Sequence, residues 1–385
     1  MATRYFRKKS ILAKIESPYG QDASPTGAAN AINARNVSFT PADLEYEERN
    51  VVRAYLGQQE QLVVTAKSRL AYECEIAGSG TAGVAPAWGP LVRACGFSET
   101  ILAAAHSGTA QAGAASTITL AAGASASDDA YRGMRIKTTG GTGSGQARVI
   151  STYNGTTKVA TVSEAWTTPP DVTTTYSIDA QVAYQRISSA FESVTEYFNM
   201  DGKRHILLGS RGTMGLRLNA RRVPFFAFDF LSLYAAASDT ALPTDVFTAW
   251  KKPLPVNNAN SSGFTLHSYA GKLYGLELDV GSGLVYRNIV GTEDVQITDY
   301  GATGKVTIED PTQAQKDYFA AVTGVTLGAL NLLHGTTAGN QVHIHAPAAQ
   351  LTNPAFEDRD SVIALALAQR LVPNLGNDEL SIQAL

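Results

Sequence analysis

The residues best suited to chemistry in this chain are Gly78-Ser79-Gly80-Thr81-Ala82-Gly83, a literal G-x-G-x-x-G behind a strand-like run and ahead of a predicted helix. In a dinucleotide site such glycines let a pyrophosphate approach the backbone at a helix N-terminus. The context argues against it. The preceding Tyr72-Glu-Cys-Glu75 alternates apolar residue and carboxylate, the mark of a half-exposed antiparallel strand. No apolar strand ending in Asp or Glu follows about 20 residues on, where a ribose ligand belongs. The segment reads as a flexible connection. A second cluster, Gly140 to Gly145, has neither a following helix nor a Lys-Ser/Thr, and reads as a turn. His343 and His345 share one face of a predicted strand, but with Thr and Ala nearby and no third ligand close in sequence they read as surface or interface imidazoles. Cys74 and Cys95 read as two buried free thiols. No G-x-S-x-G elbow and no H-E-x-x-H occurs, so we expect no catalytic residue, metal or cofactor, and read the chain as a non-enzyme.

The elements that would carry such residues are mostly strands. Of 385 residues 44 % are hydrophobic and only 17 % charged, which predicts a folded chain of two or three units. A net charge of −3 supplies no basic field for gripping nucleic acid from outside. The longest apolar stretches, such as Ser361 to Leu371, are about half of what a membrane helix needs, so no membrane insertion is expected. The short Ile11-Leu12-Ala13 is no signal-peptide core, which predicts assembly in the cytoplasm where the chain is made.

From about Ala104 to Asp179 the sequence turns rich in Ala, Gly, Ser and Thr, with alternating runs at 116–120, 134–138, 146–150 and 158–162. Period-two alternation predicts half-buried strands, and Asn154-Gly155 predicts a type I′ hairpin turn. This is a small all-β module. Outside it, strands are predicted at 62–76, 212–218, 225–234, 305–309, 341–345 and 362–371, and helices at Ala87 to Cys95 and Thr312 to Val322. The string Arg49-Asn50-Val51-Val52 recurs as Arg287-Asn288-Ile289-Val290, followed each time by strands, a helix, a hairpin and two strands. That order predicts a duplication. The resulting units are 1–104 with 180–250, the inserted module 105–179, and 251–385.

Two segments look built for assembly. Arg4 to Lys14 interleaves Arg4, Arg7, Lys8 and Lys9 with Phe6, Ile11 and Leu12, as an arm docking onto a neighbouring subunit would. Asp43, Glu45, Glu47 and Glu48, in a predicted loop before Arg49, are either a solvated loop or a charged partner for such an arm.

The run from Cys74 to Phe97, with Phe191 to Thr195, Leu333 to Asn340 and Arg370 to Pro373, resembles the major tail, or tail tube, proteins of long non-contractile-tailed bacteriophages. The resemblance implies a mainly β fold with two tandem tail-tube-type sandwich or barrel units, each with one helix, and the small all-β domain on the outer surface. It implies a structural virion protein whose stacked rings conduct DNA at ejection. Its partners would be copies of itself, other tail proteins at the tube ends, phage DNA held without sequence-specific binding, and a host surface touched by the inserted domain. The duplication adds the expectation of three chains per ring with pseudo-six-fold symmetry, where the family ordinarily uses six. A β-rich adhesin and a nucleotide-dependent enzyme are the competing classes; the first would not polymerise and the second would bind nucleotide at Gly78 to Gly83.

Overall fold

The computed structural model describes residues 3–385. From the N-terminus, β1 (Lys9–Ile15) and the single-turn α1 (Gly27–Asn30) lead to β2 (Ala34–Glu48), β3 (Gln61–Glu75), α2 (Gly89–Ala94) and β4 (Phe97–Leu102). Seven short strands follow: β5 (His106–Thr109), β6 (Ala112–Ala114), β7 (Thr117–Thr119), β8 (Arg135–Gly140), β9 (Ala147–Asn154), β10 (Val159–Val162) and β11 (Thr175–Ile178). Then come β12 (Gln181–Arg186), β13 (Val194–Met200), β14 (Lys203–Asn219), β15 (Phe225–Tyr234) and β16 (Ser238–Asp239). The last part holds β17 (Ser261–Leu266), β18 (Leu273–Asp279), β19 (Ser282–Ile289), β20 (Thr292–Tyr300) and β21 (Thr303–Glu309). It ends with α3 (Tyr318–Thr323), β22 (Leu327–His334), β23 (Val342–Arg359), β24 (Val362–Leu371) and β25 (Ser381–Ala384). Among the described residues the chain is mainly β, with three short helices.

Alternation decides which face is buried. Leu70, Tyr72 and Cys74 of β3 and Phe226, Phe228 and Phe230 of β15 point into one core with Trp88, the N-cap of α2, and Leu91 within it. Between them Arg69, Glu73 and Asp229 point the other way. The main sheet runs β2-β3-β15-β14-β18-β21-β24-β23-β25-β12-β4, with β13 and β1 branching from β14, and β22 and β17 from β23. A separate seven-stranded sheet, β5-β11-β8-β9-β10-β7-β6, carries its own core around Tyr131, Ile136, Tyr153 and Trp166.

Two local readings change and one holds. Neither Asn154 nor Gly155 takes positive φ, because the Asn154 side chain accepts from Thr156 and Thr157 N–H in a wider turn that ends on Lys158 at φ 59°. The hairpin expected over Tyr197 to Ser210 turns tightly at Asp201-Gly202, φ 36° and 87°, between paired Met200 and Lys203. The helices are shorter than periodicity suggested: α3 begins only where Asp317 caps it, its carboxylate accepting from Ala320 N–H at 2.7 Å.

Candidate assembly edges

The two copies of the repeat share one wiring. In the first, β2-β3-β15-β14-β13-β1 lie side by side; in the second, β18-β21-β24-β23-β22-β17 do. Register makes the match residue by residue. Glu75 lies opposite Phe225, which lies opposite Arg217; Glu309 lies opposite Ala364, which lies opposite Glu357. Likewise Ala34 faces Cys74 as Leu273 faces Ile308. The recurring Arg-Asn strings both lie at hairpin tips, and each arginine pairs with an acid across its hairpin, Arg49 with Glu60 and Arg287 with Asp294.

The two copies join through two strand pairs, β12 with β25 and the end of β14 with β18, and the second is the one that recurs. The end of β14 takes β18 as its neighbour, with Leu216 opposite Leu278 and Arg217 opposite Glu277. Both leucines are buried, at 2 % and 1 % exposure. The same two edges recur at the borders of the chain, and there, among the described residues, they are open. β2, which stands where β18 stands, pairs on one side only, with β3. The stretch Ala355 to Arg359 of β23, which stands where the end of β14 stands, pairs only with β24. Phe356, in the place of Leu216, is 62 % exposed. It leans on Phe319 of α3 at 5.9 Å between ring centroids, beside exposed Val362 and Ile363. Unpaired N–H and C=O groups next to an apolar patch form a template for another strand.

The segments singled out from the sequence lie elsewhere or behave differently. Ile11 and Leu12 do not reach for a neighbour: in β1 they pair with β13 of their own chain and are buried there, Ile11 in the main core and Leu12 on the other face against Ala31 and Tyr197. Arg4 pairs with Asp239 and Lys8 with Asp201, while Lys9 lies over the ring of Phe6; Phe6 and Arg7 stay exposed. The acidic run is no loop. Asp43, Glu45, Glu47 and Glu48 form the outer half of β2, where Asp43 and Glu45 hold Lys67 across the hairpin and Glu48 accepts from Gln61. The structure does not bring them to the basic N-terminal residues.

Gly78 to Gly83 is a packed joint and not a flexible one. Gly78 N–H donates to Asn340 Oδ1 at 2.9 Å and Gly80 N–H to the Gly339 carbonyl at 2.8 Å, so this loop of the first copy is laid directly on the second. A Cβ on Gly78 would stand 2.1 Å from the Gly339 oxygen, which explains the glycine without any phosphate. His343 and His345 are buried and not at a surface. His345 Nδ1 meets Asn331 Oδ1 at 2.8 Å and Nε2 meets Ser163 Oγ at 2.9 Å, so one nitrogen donates and the other accepts in a neutral ring. Desolvation pushes the pKa of both imidazoles down to about 3. Ser163 belongs to the inserted module, which is also fixed by Glu164 to Asn331 and by the Gly133 carbonyl to Gln383. Both cysteines are free and buried, and burial pushes their thiols well up.

Sequence patterning did not locate the open edges. A signal existed: β2 and the end of β23 hold apolar residues at positions whose counterparts in the other copy are core, and aligning the copies exposes the mismatch. Comparison with protein-family models and with curated proteins finds no match to this chain.

Proposed function

We propose that the chain is a structural subunit of a phage-type tail tube, in which β2 of one chain meets the end of β23 of the next. Three chains then close a ring of six similar sheet units, and stacked rings form the conduit. What carries this reading is the β14·β18 junction: the chain already contains one instance of the contact, and its two borders hold the two halves of another. Such a head-to-tail contact is heterologous, and a rotation repeated around a circle closes it. Closure also removes the exposed strand borders that would otherwise aggregate.

The sheet face opposite the core suits a channel wall. Most of its cations are matched by carboxylates, Arg69 with Asp229, Arg35 with Glu73, Arg217 with Glu277 and Lys305 with Glu357, while exposed Arg370 has no ion-pair partner among the described residues. A wall whose cations are mostly paired holds a phosphate backbone weakly, which suits DNA that must slide past. The inserted module, with its own core, would ride on the outside and present its surface to a host. Negative-stain electron microscopy of purified protein, with sedimentation in parallel, tests the reading. Annular particles or hollow tubes are expected; a monodisperse monomer at high concentration contradicts it.

A further inference from the structure

Resting on that reading, we infer that the contact between chains copies the contact within the chain residue for residue, including the crossing of a hairpin arm onto the neighbour. The register follows from the residue-by-residue equivalence of the two copies. Leu216 opposite Leu278 becomes Phe356 opposite Phe39 of the next chain, and Arg217 opposite Glu277 becomes Glu357 opposite Ser38. Phe39 is suited to the place. It is half-buried on the core side against Phe198, 4.5 Å between centroids, and the incoming Phe356 would extend that cluster.

The two hairpin arms differ in burial. β19 and β20 form a hairpin continuing β18 and β21, kinked at Gly281, which folds onto the first copy of the repeat. Val295 N–H donates to Tyr19 Oη at 2.7 Å, the Val295 carbonyl accepts from Arg211 Nη1 at 2.7 Å, and Ile297 lies beside Gly96 at 5 % exposure. The outer half of the β2–β3 hairpin is the same element in the other copy. Tyr46 faces Val63 as Leu284 faces Ile297, and the Arg49–Glu60 pair matches Arg287–Asp294. Yet Val63 is 55 % exposed, with Tyr46, Leu62 and Val64 also in the open. The receiving place is empty in the same sense. Val325, which follows α3 at positive φ as Gly96 follows α2, is exposed, and so is Leu327. Each copy therefore shows one half of a contact that the other pair has completed, and the occupant that fits both is a second copy of this chain.

Cysteine pairs in the full chain read the register directly, since Cys74 and Cys95 are buried and stay out of the exchange. The double variant Ser38→Cys with Glu357→Cys, oxidised after assembly, should give a covalent ladder ending at three chains. Val37→Cys with Glu357→Cys, shifted by one residue to the opposite face, should not cross-link. The arm is read by Val63→Asp, an exposed change that leaves the monomer's melting temperature where it was and raises the concentration needed for assembly by about tenfold or more, ~1.4 kcal/mol. Tubes that form while the Ser38–Glu357 pair fails to link or the Val37–Glu357 pair links, or that ignore Val63→Asp, overturn this register and leave the tube standing. A chain that never assembles overturns both.

Discussion

Glu196 is fully buried beside Tyr72, whose hydroxyl donates to it at 2.9 Å, and desolvation pushes its carboxyl up to about 8. In the unfolded chain the same group titrates near 4.5. Between those values the unfolded state has lost the proton and the folded state keeps it, so this residue makes stability fall as pH rises from about 4.5 towards 8. Glu196→Gln keeps a neutral side chain of the same shape and should flatten that slope in urea unfolding curves taken across this range. The buried imidazoles work in the other sense. With folded values of about 3 against 6.5 unfolded, His343 and His345 bind protons only on unfolding across that interval, and stability falls as pH drops from 6.5 towards 3. In a Glu196→Gln background the acid branch should remain, and adding His345→Gln should shallow it. None of these environments was legible in the sequence. A pair of histidines at alternate positions reads alike on a solvated strand and on one covered by a module inserted far away in the chain, and only tertiary packing distinguishes them.

At the scale of elements, long alternating runs were the legible part. β24 spans the predicted 362–371, and β3, β15 and β21 lie within a residue or two of expectation, because two-residue periodicity over seven or more positions leaves little freedom of register. Short elements were less so. α2 has six residues with Pro90 in its first turn, and what holds it is Trp88 packed on Tyr184 and Phe226 with its indole N–H on the Ala77 carbonyl, a tertiary arrangement that local signals do not show. Trp88→Ala should cost ~3–5 kcal/mol in denaturant unfolding. The glycine-rich loop ahead of it illustrates how a motif misleads: its glycines serve close approach to Gly339, and a backbone carbonyl cannot retreat as a side chain does. Gly78→Ala should lower thermal stability by about 1–3 kcal/mol while leaving no nucleotide affinity to lose, since calorimetry with NAD or ATP should show no binding by the parent.

For the whole molecule, the duplicated order of elements was readable from the recurrence of Arg49-Asn50 and Arg287-Asn288, but what the duplication leaves undone was not. Openness belongs to an edge only once every other strand has been assigned a neighbour. β2 and the end of β23 emerge as unfinished because β14 and β18 show what finishing looks like. The most direct test of the account is native mass spectrometry of assembled rings together with their cryo-electron microscopy. Three 40.7 kDa chains, about 122 kDa per ring, with β2 of each chain hydrogen-bonded to β23 of the next, is the predicted result. Rings of six chains, or rings in which β2 remains unpaired, would contradict it.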